Sequence, residues 1–126
     1  MHALRNIHAA LAPAGILVDT QPVSASPSIA AEGGQRGSLD MRDWLDTIHA
    51  VDERFAETIA DGLYGLQHES RFIVTDSYDS GPECLEIVSG WRGTRVPSEM
   101  TQRFAAATST VTVEQQVRLR LLRRST

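Results

Sequence analysis

Val111-Thr112-Val113-Glu114-Gln115-Gln116-Val117-Arg118-Leu119-Arg120-Leu121-Leu122 is the stretch on which the reading of the fold turns. Its apolar residues Val111, Val113, Val117, Leu119 and Leu121 occupy odd positions, and Thr112, Glu114, Gln116, Arg118 and Arg120 occupy even ones. A period of two is that of a strand with one face in the core and one in water. Arg118 and Arg120, followed by Arg123 and Arg124, then read as a solvated basic face running into a frayed tail. The same cluster as a nucleic-acid surface sits badly with a net charge of -4, because such a surface needs a positive excess.

Working outward, His68 to Asp76 is β-branched and aromatic at Phe72-Ile73-Val74 and is punctuated by Ser80-Gly81-Pro82, which predicts a second strand. Ile16-Leu17-Val18 is a continuous apolar run ending at Asp19, as expected of a first strand covered on both faces. From Gln21 to Gly37 the chain holds three Ser, two Pro and three Gly with little periodicity, so a long loop is expected there, functional or mobile.

Helices are legible between these strands. Leu4, Ile7, His8 and Leu11 stand at helical spacing before the stop signals Pro13 and Gly15. Asp40 to about Asp61 carries the stripe Trp44, Ile48, Val51, Phe55, Ile59 and Leu63, with Asp40 as N-cap and Leu39 placed to staple onto Trp44. Asp46, Asp52, Glu53, Glu57 and Asp61 fall mainly on the opposite, wet face. Pro82 opens a third helix with Leu85, Ile87 and Val88, closed at Gly90, and Pro97 opens a short fourth with Met100 and Phe104.

The 126 residues, 41% hydrophobic and 22% charged, suit one domain over 1–126 with a single core. One cysteine excludes an intrachain disulfide and points to a reducing, cytoplasmic setting. No apolar run approaches the roughly 18 residues of a membrane span. Arg5 and the stretch His8 to Val18 superficially resemble a targeting segment, but Pro13 and Gly15 interrupt it and Ile16-Leu17-Val18 reads as core. Nucleic acid and membrane are therefore not expected partners.

The opening His2-Ala3-Leu4-Arg5-Asn6-Ile7-His8-Ala9-Ala10-Leu11-Ala12-Pro13-Ala14-Gly15-Ile16-Leu17-Val18-Asp19 resembles a stretch of the class I S-adenosylmethionine-dependent methyltransferases. In that family a helix of the form L-R-x-x-x-x-x-L-x-P-G-G leads into the fifth of seven strands; Ala14 stands here for the first Gly of that turn. The resemblance implies that His68 to Asp76 and Val111 to Leu122 are the sixth and seventh strands, the seventh antiparallel between the other two. It covers essentially the whole chain but only the C-terminal half of the family's fold. The family's Gly-rich loop and acidic residue, which hold the cofactor, would precede this chain, and Gly33-Gly34-Gln35-Arg36-Gly37 does not replace them because it does not directly follow a strand. Asp40 and Asp43 at the next helix start would also repel an anion.

Several residues are candidates for chemistry. Asp19 and Gln21 lie just past the first strand's end, where open α/β sheets bind ligands and where, by the resemblance, the substrate is faced; an Asp here also simply closes a turn. Trp91, Arg92 and Arg95 could clamp a carboxylate or phosphate and stack on an aromatic ring. Alternatively Trp91 plugs the core while the arginines pair with Glu83 or Glu86. Cys84 sits in the first turn of the third helix, where the dipole favours thiolate, yet lone cysteines commonly just pack. His2, His8, His49 and His68 show no ligand spacing, and no metal site is expected.

The expectation is therefore an α+β domain with a small mixed three-stranded sheet, order first-third-second with the last strand antiparallel in the middle, and about four flanking helices. In function it is a methyltransferase-like protein without its own S-adenosylmethionine site: a non-catalytic dimeric binding or regulatory module. The alternatives are a subunit of a split methyltransferase, whose partner chain supplies the cofactor half, or a binder of small anions. If the first strand is a sheet edge, its apolar run invites a second copy to pair there.

Overall fold

The computed structural model describes residues 2–125. They form α1 (His2–Ala10), β1 (Ile16–Pro22), β2 (Ser28–Ala31), β3 (Arg36–Ser38), α2 (Arg42–Ala60), β4 (Tyr64–Tyr78), α3 (Gly81–Ser89), α4 (Ser98–Phe104) and β5 (Val111–Arg124). The class is α+β, with four helices and one open sheet.

β5 is the spine of that sheet. Along one edge it pairs with β4 from Tyr78↔Val111 to Tyr64↔Arg124, with one bulge between Leu66 and His68. Along the other edge its C-terminal half takes β1, from Pro22↔Val117 to Ile16↔Arg123, and its N-terminal half takes β2, with β3 outside β2. Five strands replace the expected three, and every pair is antiparallel, so the sheet is not mixed. The two added strands lie in the stretch expected to be a long loop. Gly33 and Gly34 make a tight hairpin there: Ala31 N donates to Gln35 O at 2.8 Å, Gly34 N to Ala31 O at 2.9 Å, and Gly34 has φ +97°, a conformation only glycine adopts without strain. Strands of four and three residues carry too little alternation to reveal themselves against Ser, Pro and Gly.

Residues directly opposed in an antiparallel ladder share a face. By that register Val111 and Val113 face the same way as Ile29, Ala31 and Tyr78, and they build a core with Cys84, Val88, Met100 and Phe104 of α3 and α4. Toward the other end of β5 the helices lie on the opposite face. Leu122 joins Leu17, Tyr64, Leu4 and Phe55 in a second core under α1 and α2. The tyrosine is tied in by its hydroxyl, which donates to Leu4 O at 2.6 Å, and by an edge-on contact with His8.

This arrangement corrects the one-face-in expectation for the last strand. Alternation fixes which residues share a face, but the helices decide which face is covered at each end. Arg118 and Arg120 are consequently 6% and 8% exposed, while Ile16 and Val18 of β1, expected to be covered, are 40% and 56% exposed. The basic stretch Arg123-Arg124 is not frayed either: β5 runs to Arg124, whose N–H donates to Gly15 O at 2.9 Å.

α2 starts at Arg42, and Met41, not Asp40, holds the N-cap position. Its buried residues are Ile48, Phe55 and Thr58, whereas Ile59 is exposed. Successive steps of four residues each overshoot a full turn by about 40°, so a stripe continued by fours drifts off the core face. Leu39, just before the helix, is buried in the first core. α3 begins as expected beside Pro82, with the Ser80 hydroxyl accepting from Glu83 N at 3.3 Å and the Glu83 carboxylate accepting from Asp79 N at 2.8 Å. None of the described helices is long and apolar enough to cross a membrane.

Candidate functional site

β1 ends at Pro22, and a cavity of about 330 Å³ opens there, lined by Gln21, Pro22, Met41, Trp44, Trp91, Arg92 and Gln115. The chain brings these residues from four separate stretches. Gln21 and Pro22 come from the end of β1, and Met41 and Trp44 from the entry to α2. Gln115 lies in the N-terminal half of β5, and Trp91 and Arg92 follow α3. Trp44 is fixed at both its backbone and its ring: its N–H donates to Gly93 O at 3.2 Å and its indole Nε1 to Pro22 O at 3.0 Å. The close approach to Gly93 requires glycine twice over, since that residue has φ +68° and a Cβ would lie 2.7 Å from Trp44 N. Trp91 is half-buried and packs against the first core, while Arg92 is exposed and makes no ion pair among the described residues.

Gln21, Trp91 and Arg92, candidates from the sequence, thus meet in one place. Asp19 and Arg95 do not line the cavity. Arg95 turns to Asp43 at 3.0 Å, not to Glu83 or Glu86. Asp19 is buried behind Gln21, whose Nε2 donates to its Oδ1 at 3.0 Å, and Arg120 donates to its Oδ2 at 3.0 and 3.2 Å. A carboxylate so engaged holds structure and does not meet a ligand.

The network continues. Arg120 also donates to Asp52 at 3.0 Å, and Arg118 grips the same carboxylate through both terminal nitrogens at 2.7 and 3.0 Å. The Arg120 guanidinium lies 4.5 Å from the Phe55 ring centroid. Burial pushes the Asp52 carboxyl up, but the hydrogen bonds and positive charge of Arg118 and Arg120 outweigh it, and the net shift is downward. These three residues correct two expectations, the solvated basic face and the wet position of Asp52. The network clamps α2 onto β1 and β5, and through Gln21 it fixes one wall of the cavity.

Cys84 is fully buried, and burial followed by the neighbouring Glu83 charge pushes its thiol up to about 11. It packs as a small apolar group and offers no thiolate. Among the described residues no group of three or more His, Cys, Asp and Glu is placed to hold a metal. Gly33 and Gly34 form a hairpin turn between two short strands.

The sequence left Pro22, Met41, Trp44 and Gln115 unassigned to a site. Trp44 was legible only as a core residue, and nothing local marks a glutamine in mid-strand. A comparison with protein-family models finds no match, and none of the curated proteins matches the chain.

Proposed function

We propose that this chain is a non-catalytic binding module whose ligand, a small planar anion, occupies the cavity at the end of β1. The observation that carries this reading is the convergence of two indoles, two side-chain amides and the Arg92 guanidinium, in no ion pair among the described residues, on one concave, largely apolar surface. Binding sites for small molecules have that composition: apolar area for affinity and a few polar groups for orientation. Arg92 supplies a fork that suits carboxylate or phosphate, and the indoles supply ring faces. None of the seven lining residues can serve as a nucleophile or as an acid or base near neutrality, which favours holding a ligand over transforming it.

The methyltransferase-like layout belongs to this proposal. It is supported by the order α1 then β1, and by β5 running antiparallel between β1 and β4, the arrangement the resemblance implies for the family's last three strands. A second copy, or a partner chain carrying a cofactor-binding half, is favoured by the exposed Ile16 and Val18 on an edge strand.

Isothermal titration of the isolated chain with planar aromatic carboxylates and with S-adenosylmethionine tests the proposal. Aromatic carboxylates bind, Arg92→Leu weakens them, and S-adenosylmethionine gives no heat. Tight S-adenosylmethionine binding, or aromatic-acid binding indifferent to Arg92→Leu, overturns it.

A further inference from the structure

The outer edge of β1 has a countable set of free backbone groups. Across the β1–β5 ladder Arg124 N donates to Gly15 O and Val23 N to Gln116 O, both at 2.9 Å, and the register between them runs without a bulge. Backbone groups alternate sides along a strand, so the odd residues of β1 spend theirs on β5 and the even ones turn theirs outward. Pro22 has no N–H, and its carbonyl accepts from the Trp44 indole at 3.0 Å. Ile16, Val18 and Thr20 remain. All three are exposed, and their outward N–H and C=O groups have no partner among the described residues.

The other edges of the sheet are blunted. β3 has three residues, and β4 is interrupted by the bulge between Leu66 and His68 and carries Glu69, Arg71 and Asp76. Short strands, bulges and charge are the devices that keep sheets from pairing edge to edge. β1 has none of them between Ile16 and Thr20, because Asp19 lies on the opposite face and is held by Arg120.

From this we infer that β1 pairs with β1 of a second copy of the chain, antiparallel, across a twofold axis at Val18. That centre sets Val18 against the partner's Val18 and, on either side, Ile16 against the partner's Thr20. Each opposed pair exchanges two hydrogen bonds, and none of the free outward groups is left over. An axis at Asp19 would oppose Ile16 to Pro22, whose N–H is missing and whose carbonyl is taken. An axis at Leu17 would carry Thr20 past the start of the partner strand. Opposed residues share a face, so the same centre joins Ile16, Val18, Leu119 and Leu121 of both copies in one apolar surface. This rests on the reading of Ile16 and Val18 as a docking edge and commits that edge to one occupant in one register.

Cysteine cross-linking reads the register. Opposed residues of a hydrogen-bonded antiparallel pair have Cα atoms about 5.5 Å apart, within the span of a disulfide. Under a mild thiol oxidant Val18→Cys alone gives a covalent dimer. Ile16→Cys alone and Thr20→Cys alone do not, and a mixture of these two does. The wild type, whose Cys84 is fully buried, stays uncross-linked. In the wild type, which needs no variant to fold, the amides of Ile16, Val18 and Thr20 exchange about tenfold more slowly once most chains are paired. Exchange at those amides that ignores concentration overturns the second copy on this edge. Slowing without a Val18→Cys cross-link overturns the register. Neither result touches the cavity, whose titration depends on Arg92.

Discussion

Arg120 meets three groups at the junction of α2 and the sheet: Asp19, Asp52 and the Phe55 ring. Removing it leaves Asp19 buried and without its cation, so Arg120→Ala is expected to cost about 3–5 kcal/mol, measured as a fall in the urea midpoint at constant slope. Pairing Arg120→Met with Asp19→Leu should recover most of that loss, because a buried ion pair is replaced by apolar groups of similar volume while Arg118 still satisfies Asp52. Acid sensitivity follows from Asp52. Its carboxyl is lowered in the fold, so its contribution is complete above the ordinary carboxylate value of about 3.9 and is lost as pH falls through the folded value. Asp40 is half-buried and is lowered to about 2 by the Arg42 side-chain and backbone hydrogen bonds, adding to the same acid limb. Urea midpoints between pH 6 and pH 2 should fall less steeply in Asp52→Asn than in the wild type, and an unchanged slope would count against the network. None of this was legible beforehand. An arginine alternating with leucine reads as solvated unless one knows which helix lies over that half of the strand.

Elements fixed by punctuation or long periodicity were readable. Pro82 and Pro97 open helices, Ile16 begins a strand, and the alternation from Val111 marks the longest ladder partner of β4. The start of α3 carried a stronger sign than proline: Ser80 and Glu83 stand in the Ser-x-x-Glu spacing of a capping box. The β2–β3 hairpin escaped because its register is set by Gly33-Gly34 and its burial by only Ile29 and Ala31. At the cavity the α3–α4 connection meets the first turn of α2 closely, through Gly93 and Trp44. Gly93→Ala would place a methyl against Trp44 backbone in a left-handed conformation, and about 1–3 kcal/mol of destabilisation is expected. A lower melting temperature together with red-shifted tryptophan emission would show that α2 entry and cavity wall move together. A melting temperature matching the wild type would show that the contact is loose.

At the scale of the whole molecule, the two cores lie on opposite faces at opposite ends of β5, and this leaves two quarters of the sheet without a helix, one of them apolar. On the face that α3 and α4 cover elsewhere, Ile16 and Val18 of β1 stand with half-buried Leu119 and Leu121 and with Phe72, itself 42% exposed. Among the described residues β1 pairs only with β5, so its outer backbone edge is open to another strand, and apolar side chains on an open edge favour association. Symmetric pairing of two β1 edges would extend one sheet across a twofold axis and bring the apolar quarters of both copies together. Light scattering should then give twice the chain mass at tens of micromolar. Val18→Asp should give the single-chain mass with unchanged circular dichroism, because this side chain is more than half exposed and carries little of the protomer's own stability. A wild-type chain that stays monomeric at those concentrations removes the homodimer. The apolar quarter would then need a different chain, and the split-enzyme reading would become the stronger of the two.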